Sequence, residues 1–286
     1  MKILLILITL SFNSIAFAFP EAPVDDLNFN PASFLKTFQN DDYDFEGIVK
    51  LSNCSGSLVK FEGQSDSAKA VVLTNGHCVS TGPFGGFLKP GEVINNKKVK
   101  RDFKIFKTKE SLFPISSTKI LYATMTNTDV AFYELSENYS QIRTRTGVEA
   151  RILSPLRPVK STEIDIISGY WERGYSCAID GFVAKLKEAD WTFTDSVRYT
   201  DGCDTIGGTS GSPIIDRATG NVIAINNTAN ESGASCTMNN PCEVRENGQV
   251  FVQKGLRYGQ QTYLAYSCLD RDFQFNLTQE GCLLPK

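Results

Sequence analysis

The residues of this chain that can do nucleophilic chemistry are gathered in three short stretches. The first, Ala70-Val71-Val72-Leu73-Thr74-Asn75-Gly76-His77-Cys78-Val79, is an apolar run that ends in a turn carrying the single histidine beside a cysteine. The second, Asp129-Val130-Ala131-Phe132, puts a carboxylate at the head of another apolar run. The third, Gly207-Gly208-Thr209-Ser210-Gly211-Ser212-Pro213, is a glycine-rich turn with a serine just ahead of Ile214-Ile215. Acyl transfer needs these three types together. A serine hydroxyl is a weak nucleophile at neutral pH, so an imidazole must take its proton, and a carboxylate must hold that imidazole in one tautomer and stabilise its charged form. Glycines around Ser210 allow backbone N–H groups to turn inward, so the amides of Gly208 and Ser210 can form an oxyanion hole.

With one histidine, any mechanism that requires two imidazoles is excluded. Chain order restricts the chemistry further. His77 precedes Ser210, which rules out the Ser, Asp, His order of α/β-hydrolases despite the partial likeness of Gly208-x-Ser210-x-Ser212 to their nucleophile elbow. An Asp, His, Ser order, with an acid before residue 77, is disfavoured by the scarcity of helical periodicity. Each residue also has a plainer reading: His77 as a packing histidine, Asp129 as a strand-end turn residue with Asp102 as the next acid to consider, and Ser210 as a turn serine.

The elements that must position these groups are short strands. The chain has 286 residues, 41% hydrophobic and 21% charged, with a formal net charge of −3. That composition excludes a mainly disordered chain and argues against a dedicated nucleic-acid binder, which would carry a basic footprint. Runs of β-branched and aromatic residues at 48–51, 57–61, 70–73, 103–106, 120–124 and 130–135 form one group of six. A second group, at 164–167, 181–186, 192–199, 213–215, 221–225 and 250–253, follows the proline-containing stretch 154–160. The expected fold is all-β, two six-stranded antiparallel barrels of roughly 100 residues each packed together. The N-terminal barrel is expected over 46–153 and the C-terminal barrel with its tail over 154–286. Residues 97–109 hold seven Lys or Arg. The alternation of Phe103 and Ile105 assigns those charges to the water face of a solvated edge strand, and no nucleic-acid partner is expected.

Residues 1–18 read as a cleavable export signal: Lys2, an apolar run from Ile3 to Leu10, and the small-x-small site Ala16-Phe17-Ala18. The apolar run is shorter than the ~20 residues a membrane span needs, so no membrane partner is expected. Residues 19–45, rich in Pro, Asp and Asn, read equally as a removable pro-segment or a solvated lead-in. Export to a secreted or periplasmic location makes disulfides the natural state of the eight cysteines, Cys54, Cys78, Cys177, Cys203, Cys236, Cys242, Cys268 and Cys282. Pairing of sequence neighbours gives 54 with 78, 177 with 203, 236 with 242 and 268 with 282. A zinc site is the weaker alternative, because there is no Cys-x-x-Cys pair; no metal and no cofactor are expected.

The sequence resembles the chymotrypsin-fold (trypsin-like) serine proteases, and within them the bacterial extracellular glutamyl-endopeptidase-type branch. The resemblance covers about 46–255. It rests on Cys54-Ser55-Gly56-Ser57-Leu58-Val59, on Leu73-Thr74-Asn75-Gly76-His77-Cys78, on Asp129-Val130-Ala131 and on Gly208-Thr209-Ser210-Gly211-Ser212-Pro213. It implies a Cys54–Cys78 bond tying the histidine loop to the preceding strand, and a catalytic triad of His77, Asp129 and Ser210. It also implies hydrolysis of protein or peptide substrates through an acyl-enzyme by a protein expected to be a monomer. Where digestive members carry an aspartate just before the nucleophile, this chain has Thr209, so activation through a newly cut N-terminus is not implied. Gly47-Ile48-Val49 reads as part of the first barrel strand. Six residues before Ser210, Asp204 takes the place of the primary-pocket floor, which would select Arg or Lys; the competing reading makes Cys203-Asp204-Thr205 a structural turn. Asn226, Asn227 and Thr228 are the expected opposite wall. A glutamate preference is disfavoured, because its usual pocket histidine has no residue to supply it. The alternative to an enzyme is a catalytically silent protease homologue acting as a binding protein. A third reading, a carbohydrate-binding module using Tyr170, Trp171 and Trp191, competes with packing roles for those rings.

Overall fold

The computed structural model describes residues 43–79 and 86–286. The export-signal reading, and all of the 19–45 segment before Tyr43, lie outside the described residues. The strands of the first half are β1 (Ile48–Lys50), β2 (Ser55–Phe61), β3 (Lys69–Thr74), β4 (Val93–Lys98), β5 (Asp102–Thr108), β6 (Ser111–Thr124) and β7 (Val130–Asn138). Six of them close into an antiparallel barrel in the order β1-β5-β6-β7-β3-β2, with β2 pairing back to β1. β4 pairs only with β6 and is the edge strand. The lysines of β5 therefore sit on a strand paired on both sides, to β1 and β6, and only Lys97 and Lys98 belong to an edge. Phe103 and Ile105 are buried and Lys104 is exposed, as the alternation predicts.

The long apolar runs of this barrel follow from burial of both strand faces. Along β3, Ala70 and Val72 join a cluster with Leu58, Ile105, Ala131 and Tyr133, contributed by several strands of the barrel. Val71 and Leu73 join the opposite cluster, with Phe61, Phe132 and residues of the second half such as Ile215 and Ile225. A strand with one wet face alternates apolar and polar residues, whereas one buried on both faces reads as a continuous apolar run. After β7 the chain forms helix α1 (Tyr139–Thr146), which the sequence reading did not contain. Its start is a capping box, with Gln141 N–H donating to Asn138 Oδ1 at 2.7 Å and Asn138 N–H to Gln141 Oε1 at 2.9 Å. Its end is Gly147 at φ +71°.

The second half contains β8 (Arg151–Leu153), β9 (Glu163–Ser168), β10 (Arg173–Glu188), β11 (Trp191–Tyr199), β12 (Pro213–Asp216), β13 (Val222–Ala229), β14 (Cys242–Val244), β15 (Val250–Phe251) and β16 (Arg257–Gln261). A second closed antiparallel barrel runs β9-β10-β11-β16-β13-β12 and returns to β9. The expected sixth strand at 250–253 is instead the small β14–β15 hairpin, and β16 closes the barrel. The polar run Arg257-Tyr258-Gly259-Gln260-Gln261 lacks β-branched residues, so it gave no strand signal. Its glycine meets a packing requirement: a Cβ at Gly259 would lie 2.4 Å from the Tyr199 hydroxyl. β8 runs parallel to both β2 and β13 and stitches the two barrels together.

Four disulfides link Cys54–Cys78, Cys177–Cys203, Cys236–Cys242 and Cys268–Cys282. Cross-links of this kind stabilise by about 2–4 kcal/mol each and are at home in oxidising compartments. Among the described residues, no helix is long and apolar enough to cross a membrane.

Candidate active site

His77 lies in a 3-10 turn, Gly76–Cys78, immediately after β3. The Cys54–Cys78 bond anchors that turn to the chain entering β2. Asn75 donates its side-chain amide to the Asp129 carbonyl oxygen at 2.8 Å, which joins the turn to the head of β7. The Asp129 carboxylate then grips His77 twice. Oδ1 accepts the His77 backbone N–H at 2.9 Å, and Oδ2 lies 2.7 Å from Nδ1. This approach requires glycine at 76, where a Cβ would sit 2.0 Å from the Thr124 carbonyl oxygen and 3.0 Å from Asp129 Oδ1. Asp129 is buried, so its carboxylate is held by partners rather than by water. An acceptor at Nδ1 keeps the proton there and leaves Nε2 as the basic nitrogen.

The protonation balance of His77 is a contest. Burial pushes its pKa down, while the Asp129 charge, the hydrogen bond to Asp129 and the more distant Glu188 charge push it up; the upward influences win, and the pKa lies above the usual 6.5. Glu188 is buried under the same cleft and its carboxyl is held above the usual value, chiefly by desolvation.

Ser210 is presented by the loop between β11 and β12. Thr209 turns the loop on itself, its N–H and hydroxyl both donating to the Ile206 carbonyl oxygen at 3.0 and 2.6 Å. The Asn226 side-chain amide donates to Thr209 Oγ1 at 3.1 Å. Thr209 thus sits in a neutral network of the second barrel. Gly211 has φ +79°, and a Cβ there would lie 2.2 Å from Thr74 Oγ1 and 2.3 Å from the Ser55 carbonyl oxygen. The serine loop is therefore pressed against β2 and β3, with Ser55 N–H donating to the Ser210 carbonyl oxygen at 2.8 Å.

The Ser210 hydroxyl donates to the Asn227 carbonyl oxygen at 3.3 Å, and no hydrogen bond joins it to His77 among the described residues. His77, Asp129 and Ser210 nevertheless line one cleft. Neither the Gly208 nor the Ser210 amide meets a protein acceptor among the described residues. Trp171 braces the peptide before Gly208, its indole N–H donating to the Gly207 carbonyl oxygen at 2.7 Å. A trans peptide holds its C=O and N–H in opposite directions, so fixing the Gly207 carbonyl on one side fixes the Gly208 N–H on the other. Gly208 itself has φ +91°, and a Cβ would lie 2.8 Å from the Trp171 and Tyr170 rings.

Of the residues expected to shape the pocket, Thr205, Asn226, Asn227 and Thr228 do line the cleft. Asp204 does not. Its side chain is 71% exposed and pairs with Arg257 at 3.1 Å. The reason is local: Thr205 N–H closes onto the Cys203 carbonyl oxygen at 2.7 Å, so the chain turns at Asp204 and throws the carboxylate outward. This placement agrees with the turn reading of Cys203-Asp204-Thr205 and sets the Asp204 carboxylate outside the cleft lining. Cys54, His77 and Cys78 bring donor atoms within 4.8 Å of one another, but both sulfurs are consumed by the disulfide.

The sequence reading missed Glu188 and the roles of Trp171 and Trp191. Glu188-Ala189-Asp190-Trp191 is the tip of the β10–β11 hairpin, which extends to the first barrel: Trp191 Nε1 donates to the Leu88 carbonyl oxygen at 2.9 Å and Thr194 N–H to that of Asn127 at 2.7 Å. An acid between two predicted strands was visible, but where the hairpin tip lands depends on tertiary packing.

Two closed antiparallel barrels, with a His–Asp pair on the first and a glycine-framed serine on the second, define a chymotrypsin-like protease fold. The chain belongs to the trypsin-like peptidase domain family, whose model matches residues 54–225. Among solved structures it is similar to the MamO protease domain from Magnetospirillum magneticum, in its apo form, at 12% identity over 80% of this chain and 98% of that one, with a TM-score of 0.49. It is similar to a Glu endopeptidase in complex with MPD at 16% identity, over 76% and 85% of the two chains, TM-score 0.45. It is also similar to the active form of the Rv3671c protease from M. tuberculosis at 13% identity, over 96% and 97%, TM-score 0.46. No curated protein matches the sequence.

Proposed function

We propose that this chain is an exported serine endopeptidase that cleaves peptide bonds through an acyl-enzyme. The observation that carries the reading is the double grip of Asp129 on His77, backbone and ring together, at the cleft that Ser210 also lines. Ser210 Oγ attacks the substrate carbonyl carbon as His77 Nε2 takes its proton, and the tetrahedral oxyanion is received by the Gly208 and Ser210 amides. Collapse expels the amine, which leaves with the proton carried by His77; water then repeats the sequence and frees the acid. Asp129 keeps Nδ1 protonated and stabilises the imidazolium. Export is supported by the apolar N-terminal run of the sequence and by four disulfides.

The test is labelling by a fluorophosphonate probe, with hydrolysis of a mixed peptide library read by mass spectrometry. Wild-type protein should be labelled and should cleave, and Ser210→Ala should do neither. A second reading, a catalytically silent binding homologue, draws support from the Ser210 hydroxyl facing Asn227 rather than His77. Wild-type protein that takes no label and cuts no peptide would establish that second reading.

A further inference from the structure

The cleft carries an electrostatic asymmetry whose effect extends beyond the protonation balance of His77. Among the described residues its lining includes three carboxylates, Asp129, Glu188 and Glu231, and no lysine or arginine. Asp129 is committed to His77 and Glu231 is exposed at the surface. Glu188 is the unusual one, with only 7% of its surface exposed. Its Oε1 accepts the Asn239 backbone N–H at 2.8 Å. No cation pairs with it among the described residues. A buried carboxylate without a cation is costly to keep, and the cost falls when a cation is brought to it.

A buried acid without a cation favours a ligand that brings a positive charge to it, which a peptide bearing a lysine or arginine side chain supplies. The surrounding side chains fit the stem of such a residue: Phe87 and Trp191 meet edge to face at 5.8 Å and Met238 lines the wall, giving an apolar passage for the methylenes. This subsite lies under the hairpin tip, where Trp191 bonds to Leu88 of the first barrel, and not beside the outward-facing Asp204.

We infer that Glu188 is a specificity-determining residue that selects substrates with a basic side chain close to the scissile bond. The inference rests on the protease reading for its substrate class, and its test separates the two. Full-length Ser210→Ala protein is titrated with a fluorescent peptide series in which one lysine, scanned through the positions flanking the cut, is replaced in a matched partner by norleucine. One position should bind about tenfold more tightly with lysine than with norleucine, and the ratio should fall below about twofold in the Ser210→Ala/Glu188→Gln double variant. Arginine at that position should behave as lysine. A ratio near one at every position, or one that survives Glu188→Gln, overturns the inference. Should the double variant fail to fold, the cleavage profile of wild-type protein decides: enrichment of Lys and Arg at a single position supports the assignment, and a profile indifferent to charge refutes it. Failure of the protease reading has a different signature, a wild-type protein that neither labels nor cleaves.

Discussion

At the scale of single residues, His77 carries the clearest consequences. In the proposed mechanism the unprotonated imidazole acts as the base, and its pKa in the folded protein is raised above 6.5. kcat/KM should therefore rise with pH and pass its midpoint above 6.5, followed with a chromogenic ester across pH 5–9. Burial alone pulls in the opposite direction, and the Asp129 and Glu188 charges reverse it. Removing one of those charges, in Glu188→Gln, should move the midpoint to lower pH; a shift upward would contradict the stated balance. Asp129→Asn removes the acceptor that holds the tautomer, and by comparison with other Ser-His-Asp enzymes turnover should fall by roughly 10⁴-fold. Trp171 gives a quieter test. Trp171→Phe keeps a ring against Gly208 and deletes the N–H that fixes the Gly207 carbonyl. If the Gly208 amide serves the oxyanion, kcat should drop by about tenfold or more while KM stays nearly constant, because such donors act in the transition state.

Elements explain why some of this could be read from sequence and some could not. β3 and the head of β7 announce themselves as apolar runs, because both of their faces are buried, and the groups they deliver, His77 and Asp129, sit at their ends. The serine loop is legible through its glycines, whose positive φ at 208 and 211 no other residue meets without strain. The β10–β11 hairpin is different. Its strands show periodicity, yet the length by which it overshoots the barrel and places Glu188 in the cleft depends on contacts with residues 88 and 127, about 65 to 105 positions away. The outward placement of Asp204 was hard to read for a related reason, since sequence spacing gives a position along the chain but not the direction of a tight turn. The Cys54–Cys78 bond is the element-scale device that holds the histidine turn. Its closed loop spans 24 positions, which corresponds to about 3 kcal/mol of stabilisation. Replacing both cysteines by alanine should lower the calorimetric midpoint by about 6–12 °C, and should reduce kcat more than loss of folded protein accounts for.

On the scale of the whole molecule, the chain beyond β16 ties the two halves of the sequence together. A 3-10 segment, Tyr263–Cys268, leads into a tail closed on itself by Cys268–Cys282. The tail does more than clip to itself, because it packs on the outer face of the first barrel. Phe275 stacks on Tyr122 with centroids 5.6 Å apart and lies 5.0 Å from the Phe132 ring, while Phe273 stacks on Phe61 at 6.3 Å. The Tyr122 hydroxyl donates to the Pro285 carbonyl oxygen at 3.0 Å. These rings belong to the cluster that also contains Val71, Leu73 and Ile215, on the strands that deliver His77 and follow Ser210. The last residues of the chain thus help fix the strands that carry its chemistry. Truncating Phe275 to alanine removes an aromatic ring from that cluster at a cost of about 3 kcal/mol, less than for a fully buried ring because Phe275 keeps partial exposure. At about 2–4 °C per kcal/mol for a chain of this length, the calorimetric midpoint should fall by roughly 6–12 °C, while kcat of the folded protein at 20 °C stays within about twofold of wild type. A separate low-temperature transition in Phe275→Ala, with the main midpoint unmoved, would mean instead that the tail melts independently of the barrels. The cluster shared by Phe275, Phe132 and Leu73 argues for one cooperative transition, because strands that meet the same side chains cannot lose them separately.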